Sequence, residues 1–120
     1  MLTVYGIASC DSCRKARHWL EENGIEFRFH DFRRDGLEVQ MLERWCEQLG
    51  WDKLLNRQSL TWRRIPEADR ENIRKDRALA AMLEHPTLVK RPVLERGKFV
   101  AVGYSEDAYR RVFRTGTLPR

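Results

Sequence analysis

Residues 2–32 read LTVYGIASCDSCRKARHWLEENGIEFRFHDF, and this stretch decides the fold. Leu2 to Ile7 is a short β-branched and aromatic run that ends in small residues, the composition of a buried strand. Asp11 and Ser12 follow, with side chains suited to cap a helix. From Cys13 to about Glu22 apolar residues recur at helical spacing, placing Cys13, Ala16, Leu20 and Trp19 on one face. Asn23-Gly24 supplies the stop. Glu26 to Phe32 then alternates, with Phe27 and Phe29 on one side and Arg28 and His30 on the other. Strand, helix and strand in this order make a βαβ unit, whose strands run parallel with a right-handed crossover.

A helical middle and a strand pair complete the chain. Leu37 to Leu49 is amphipathic, with Val39, Leu42, Cys46 and Leu49 on its apolar face and Gly50 at its end. Pro66 opens a predicted helix through Ile73, and Ala78 to Glu84 is strongly helix-forming and stops before Pro86. Pro92 to Leu94 and Lys98 to Val102 read as short strands joined around Arg96-Gly97. Glu106 to Phe113 reads as a last helix capped by Ser105, and Thr115 to Arg120 as a flexible tail. The predicted fold is therefore α/β, a small mixed sheet in the thioredoxin order βαβ…ββα. It forms one domain over residues 1–114, with a helical insertion over about 34–88.

Composition narrows the function classes. With 120 residues and 42% apolar side chains the chain can bury a core without disulfides or metals. It has no apolar run near the roughly 20 residues that span a bilayer, and no signal-peptide pattern, so the cytoplasm is the expected compartment. The net charge of +5 favours anionic partners. Its basic residues are dispersed in pairs (Arg33-Arg34, Arg63-Arg64, Lys90-Arg91, Arg110-Arg111) without a nucleic-acid-binding signature, which argues against a nucleic-acid partner.

Three cysteines are too few for a disulfide scaffold, and Cys10-Asp11-Ser12-Cys13 is the pair that carries chemistry. Cys10 falls between a strand and a helix N-terminus, where unpaired N–H groups and the positive end of the helix dipole favour a thiolate. Those N–H groups also suit an oxyanion or a carboxylate. Arg14, Lys15 and Arg17 add positive potential, which Asp11 opposes. Cys13 has two readings, a resolving thiol for Cys10 or a small buried hydrophobe on the helix's apolar stripe. A zinc site needs two further ligands at matching spacing, and Cys46, His18, His30 and His85 are scattered, so no metal is expected. Cys46 lies on a core stripe. His30 and Asp31, at the end of the second strand, are candidates to assist proton transfer.

With the pair placed, residues 5–36 (YGIASCDSCRKARHWLEENGIEFRFHDFRRDG) resemble the start of the arsenate reductase-like (ArsC) branch of the thioredoxin superfamily. Residues 48–65 (QLGWDKLLNRQSLTWRRI) and 85–113 (HPTLVKRPVLERGKFVAVGYSEDAYRRVF) continue the likeness. GWDKLLN followed by TWR is similar to the YffB subgroup. The resemblance implies a glutathione-dependent thiol reductase in which Cys10 is the nucleophile, Arg91 binds an anion, and Pro92 follows a cis peptide bond. Asp11, Ser12, Arg14, Arg57, Arg91 and Pro92 are the candidate substrate- or anion-binding residues. No tightly bound cofactor is expected. Glutathione is the expected co-substrate, with a protein or small-molecule disulfide as substrate and glutaredoxin as a further partner.

The same resemblance weakens arsenate reduction. Arsenate reductases of this branch place three arginines around the oxyanion. Here Arg91 matches, Asn56 stands at the second position with Arg57 beside it, and Gly103 stands at the third. CDSCRKARHWLEE and VGYSEDAYRRVF also resemble Spx-type regulators, which implies the alternative of a redox-sensing protein that binds RNA polymerase.

Overall fold

The computed structural model describes residues 1–113, so the predicted tail lies outside the described residues. The opening βαβ unit is present as β1 (Leu2–Gly6), α1 (Asp11–Glu22) and β2 (Phe27–Asp31). β1 and β2 run parallel in register from Leu2↔Phe27 to Gly6↔Asp31. The predicted hairpin is β3 (Val93–Arg96) and β4 (Phe99–Val102). Sheet order is β2-β1-β3-β4, with β1 antiparallel to β3 through Val4↔Leu94 and Tyr5↔Val93. β1 is thus an interior strand, which is why its sequence is almost continuously apolar.

Between β2 and β3 the chain is helical: α2 (Phe32–Asp35), α3 (Val39–Leu49), α4 (Trp51–Leu54), α5 (Leu60–Arg64), α6 (Glu67–Glu71), α7 (Lys75–Glu84) and a 3₁₀ turn (Pro86–Leu88). The last helix is α8 (Glu106–Phe113), where the Ser105 hydroxyl accepts the Ala108 N–H at 3.3 Å, the predicted cap. Contacts gather the chain into two compact units. Met1–Gly36 and the stretch from Arg91 on hold the sheet, and Leu37–Lys90 holds the helical middle.

Several boundaries differ from the sequence reading, each for a local reason. α1 starts at Asp11 rather than Cys13, because Cys10 (φ −75°, ψ 127°) is the extended residue before the helix. Asp11 and Ser12 are therefore helical and cap nothing. β2 stops at Asp31, whose carboxylate accepts the Arg33 N–H at 2.8 Å and so turns Phe32 into a helix. The helix predicted from Pro66 to Ile73 is the shorter α6, and the one predicted from Ala78 starts at Lys75. In α3 the buried face is Leu42, Trp45 and Cys46, while Val39 is exposed. α2, α4 and α5 are single turns, too short to show a helical period.

In the helical unit Leu42, Trp45, Leu54, Leu55, Ala78, Met82, Leu88 and Val89 are buried. The unit closes where two chain segments meet, through Asn56 N–H to Leu88 O (2.7 Å) and Lys90 N–H to Leu54 O (2.8 Å). In the sheet unit Leu2 and Val4 of β1 and Leu94 of β3 pack with Ala16 and Leu20 of α1 and Tyr109 and Phe113 of α8. Phe27 and Phe29 join this core, as their alternation predicts. Full burial of a side chain such as Leu20 contributes about 1.5–3 kcal/mol.

One contact locks α1 onto β1. Cys13 is fully buried, and a Cβ built on Gly6 would come inside 3.0 Å of its sulfur. Gly6 is glycine for room, not for backbone freedom. Gly6→Ala is expected to destabilise the fold by about 1–3 kcal/mol, the usual range for overpacking. A fall in the urea midpoint measures it. Adding Cys13→Ala should restore part of the loss, because the two changes share one contact.

Candidate active site

β1 delivers the chain to a tight turn over Ile7–Cys10, closed by Cys10 N–H to Ile7 O at 2.9 Å. Cys10 then opens α1, with its carbonyl accepting the Arg14 N–H at 3.0 Å. No side-chain hydrogen bond caps the helix there, and the Cys13 amide lies against the Cys10 sulfur instead. β3 approaches from far along the chain. It is antiparallel to β1 with Val93 opposite Tyr5, so Arg91 and Pro92 arrive at the end of β1 that leads to Cys10. The Arg91–Pro92 peptide bond is cis, and Gly103 donates its N–H to the Pro92 carbonyl at 2.8 Å.

The two thiols of the pair are electrostatic opposites. Partial burial penalises the Cys10 thiolate, but the Cys13 N–H, the Arg91 guanidinium and the Cys13 thiol favour it more, holding the Cys10 pKa below its ordinary value. Burial pushes the Cys13 thiol up to about 12, and the neighbouring Cys10 adds to the rise. At neutral pH Cys13 is therefore a protonated thiol beside a sulfur whose thiolate is favoured. Tyr109 lies in the same core, its hydroxyl donating to Gly103 O at 3.0 Å, and burial raises its pKa as well.

The ArsC family pattern matches residues 5–112. The chain belongs to the ArsC family. A solved YffB protein is 40% identical and superposes with a TM-score of 0.86, over 92% of this chain and 97% of its own. An arsenate reductase (ArsC) related protein from Brucella melitensis is 42% identical, with a TM-score of 0.80 and 94% of each chain covered. The global transcriptional regulator Spx of Bacillus subtilis is 34% identical over 114 residues, which is 92% of this chain and 86% of its own. The fold is accordingly the thioredoxin-like ArsC fold, here a four-stranded mixed sheet with helices.

Within this ArsC frame the structure brings Cys10, Cys13, Arg91 and Pro92 together. Asp11, Ser12 and Arg14 are exposed on the first turn of α1, where Asp11 pairs with Arg14 at 3.1 Å and Lys15 at 3.4 Å. Arg57 belongs to the helical unit, where it holds Asp52 at 2.6 Å and lies near the Trp51 and Trp62 rings. His30 is engaged through its Nε2 with Gly36 O at 2.7 Å. Among the described residues no group of three or more His, Cys, Asp or Glu gathers to hold a metal, and no helix is long and apolar enough to cross a membrane.

Asp31 is the residue whose place the sequence reading missed. Its Oδ2 accepts the Ala8 N–H at 3.1 Å, inside the turn that leads to Cys10. Burial opposes its charge, yet the N–H groups of Arg33, Ala8 and Arg34 more than compensate and lower its pKa. Asp31 is thus a committed acceptor and a poor proton carrier. Its position before Arg33-Arg34 was a legible capping signal, but the reach to Ala8, 23 positions back, follows only from the parallel register.

The sign of the Cys10 shift sets its pH behaviour. A lowered pKa keeps Cys10 reactive below the ordinary thiol range of about 8.5, and reactivity falls as pH drops through the folded value. Alkylation by iodoacetamide, followed against pH, should show this. Arg91→Ala should move the midpoint upward and slow the reaction at about pH 6 by about tenfold.

Proposed function

We propose that this chain is a thiol–disulfide oxidoreductase, specifically a glutathione-dependent thiol reductase of the YffB kind, with Cys10 as nucleophile. One observation carries the reading: the Cys10 sulfur faces both the Cys13 amide and the Arg91 guanidinium at the start of α1. In the proposed cycle the Cys10 thiolate attacks one sulfur of a substrate disulfide. The substrate S–S bond breaks, a mixed disulfide with Cys10 forms, and the other half leaves as a thiolate that takes a proton from water. A glutathione thiolate then attacks the substrate sulfur of the mixed disulfide. Cys10 leaves as a thiolate, which its lowered pKa favours, and the substrate departs as a disulfide with glutathione. One half of the substrate is released as a thiol in the first step and Cys10 is restored in the second. A second glutathione thiolate then frees the other half from its mixed disulfide, giving oxidised glutathione.

Arg91 and the N–H groups of the first turn of α1 would receive a glutathione carboxylate. Asp11, Ser12, Arg14 and Pro92 complete the proposed binding set, with glutaredoxin as a further partner and the cytoplasm as the compartment. Cys13, protonated and seated against Gly6, acts as a hydrogen-bond donor to the thiolate, and resolution by glutathione is favoured over resolution by Cys13. Arsenate reduction is disfavoured. Gly103 stands where the resemblance calls for a third arginine, and its φ of 86° suits glycine rather than a side-chain-bearing residue.

The likeness to Spx supports a second reading, a redox-sensing regulator that docks on RNA polymerase through a Cys10–Cys13 switch.

Mass spectrometry after treatment with oxidised glutathione separates the readings. The expected product is one glutathione on Cys10, with Cys13→Ser turning over within about threefold of the parent chain. A Cys10–Cys13 disulfide as the dominant product, with oxidation-dependent capture of RNA polymerase, would favour the regulator. No modification of Cys10 would remove the reductase reading.

A further inference from the structure

Asp31 is the buried charged side chain among the described residues, with 8% of its surface exposed. Burying a carboxylate is costly unless its oxygens are satisfied. Here the two oxygens serve two different parts of the chain. Oδ1 accepts the Arg33 N–H at 2.8 Å and caps α2, while Oδ2 accepts the Ala8 N–H at 3.1 Å. Ala8 is the second residue of the Ile7–Cys10 turn, so the second bond fixes a peptide two residues before the nucleophile. From another side the Arg17 guanidinium, stacked over Phe29 at 4.2 Å, approaches the Ala8 carbonyl at 3.4 Å. The carboxylate itself is held in place by its own corner, since the Asp31 N–H donates to Asp35 Oδ2 at 3.1 Å and His30 Nε2 meets Gly36 O.

We infer that Asp31 is a positioning residue for Cys10, a buried carboxylate that ties the turn before the nucleophile to the end of β2. Without the bond to Ala8 the turn is held mainly by its own Ile7–Cys10 hydrogen bond, and the Cys10 sulfur loses its fixed place opposite the Cys13 amide and Arg91. A capping role alone would use only the Arg33 and Arg34 N–H groups. The Ala8 bond adds nothing to α2 and everything to the geometry of the turn. This inference rests on the proposed reading of Cys10 as an activated thiolate and adds to it the part that holds the thiolate in register.

The test measures Cys10 itself rather than turnover. Iodoacetamide alkylation against pH is recorded for the parent chain, Asp31→Ala, Asp31→Asn and Asp35→Asn. Asp31→Ala should raise the Cys10 midpoint and slow the reaction at about pH 6 by about tenfold. Asp31→Asn, which keeps one acceptor oxygen for the Arg33, Ala8 and Arg34 N–H groups, should fall between it and the parent. Asp35→Asn disturbs the same corner without touching Ala8 and should stay within about twofold. In the parent chain the Ala8 amide should exchange with solvent at least about 100-fold more slowly than in an open chain, a measurement that stands even where Asp31→Ala does not fold. A folded Asp31→Ala chain with the parent's titration would overturn the inference, as would an Ala8 amide that exchanges freely. An ordinary Cys10 midpoint in the parent chain is the distinct failure of the thiolate reading, and the positioning role falls with it.

Discussion

The sulfur of Cys13 rests on the backbone of Gly6, and the remainder of the site depends on that contact. It sets how closely α1 can approach the interior strand, and hence where the first turn of α1 presents its N–H groups. Cys10 sits one helical turn before Cys13, so its sulfur inherits its position from a packing contact it does not make. A side chain at Gly6 would push α1 outward and move the amide away from the Cys10 sulfur. The close packing of Cys13 on Gly6 and the chemical asymmetry of the two thiols thus have the same origin. One thiol is shut in and protonated, while the other is half-buried with its pKa held below the ordinary value.

Electrostatics around Cys10 is a balance between a local and a distant source. The local source is the helix start, available as soon as β1 and α1 pack. Arg91 is the distant one, brought in by the antiparallel pairing of β1 with β3. The basic residues of α1 contribute less than their number implies, because Asp11 already pairs with Arg14 and Lys15 on the exposed side. Arg91 is therefore the cation that acts directly on the sulfur.

What the sequence made legible follows the range of the forces involved. The βαβ unit, the hairpin and the Ser105 cap rest on local periodicity and turn chemistry, and all are present. Cys13 on the buried stripe and Cys10 at a helix start were readable for the same reason. The short helices α2, α4 and α5 were not, since four or five residues carry no period. The meeting of Arg91 with Cys10 came from family resemblance alone, because no local rule reports the register of a strand so far along the chain. Asp31 shows the boundary most clearly. Its capping bond to Arg33 spans two positions and was predictable in kind, whereas its bond to Ala8 spans 23 and needed the sheet.

The sheet's long-range pairing also has a temporal side. The Tyr5 hydroxyl donates to Glu95, 90 positions later in the sequence. β1 cannot acquire its second neighbour until β3 has been synthesised, several seconds later at a translation rate of about 5–20 residues per second. Through that interval the nascent chain carries Cys10 without its arginine. The Arg91 contribution at the Cys10 sulfur therefore coincides with closure of the sheet, and in an incomplete chain emerging from the ribosome the helix start alone favours the thiolate.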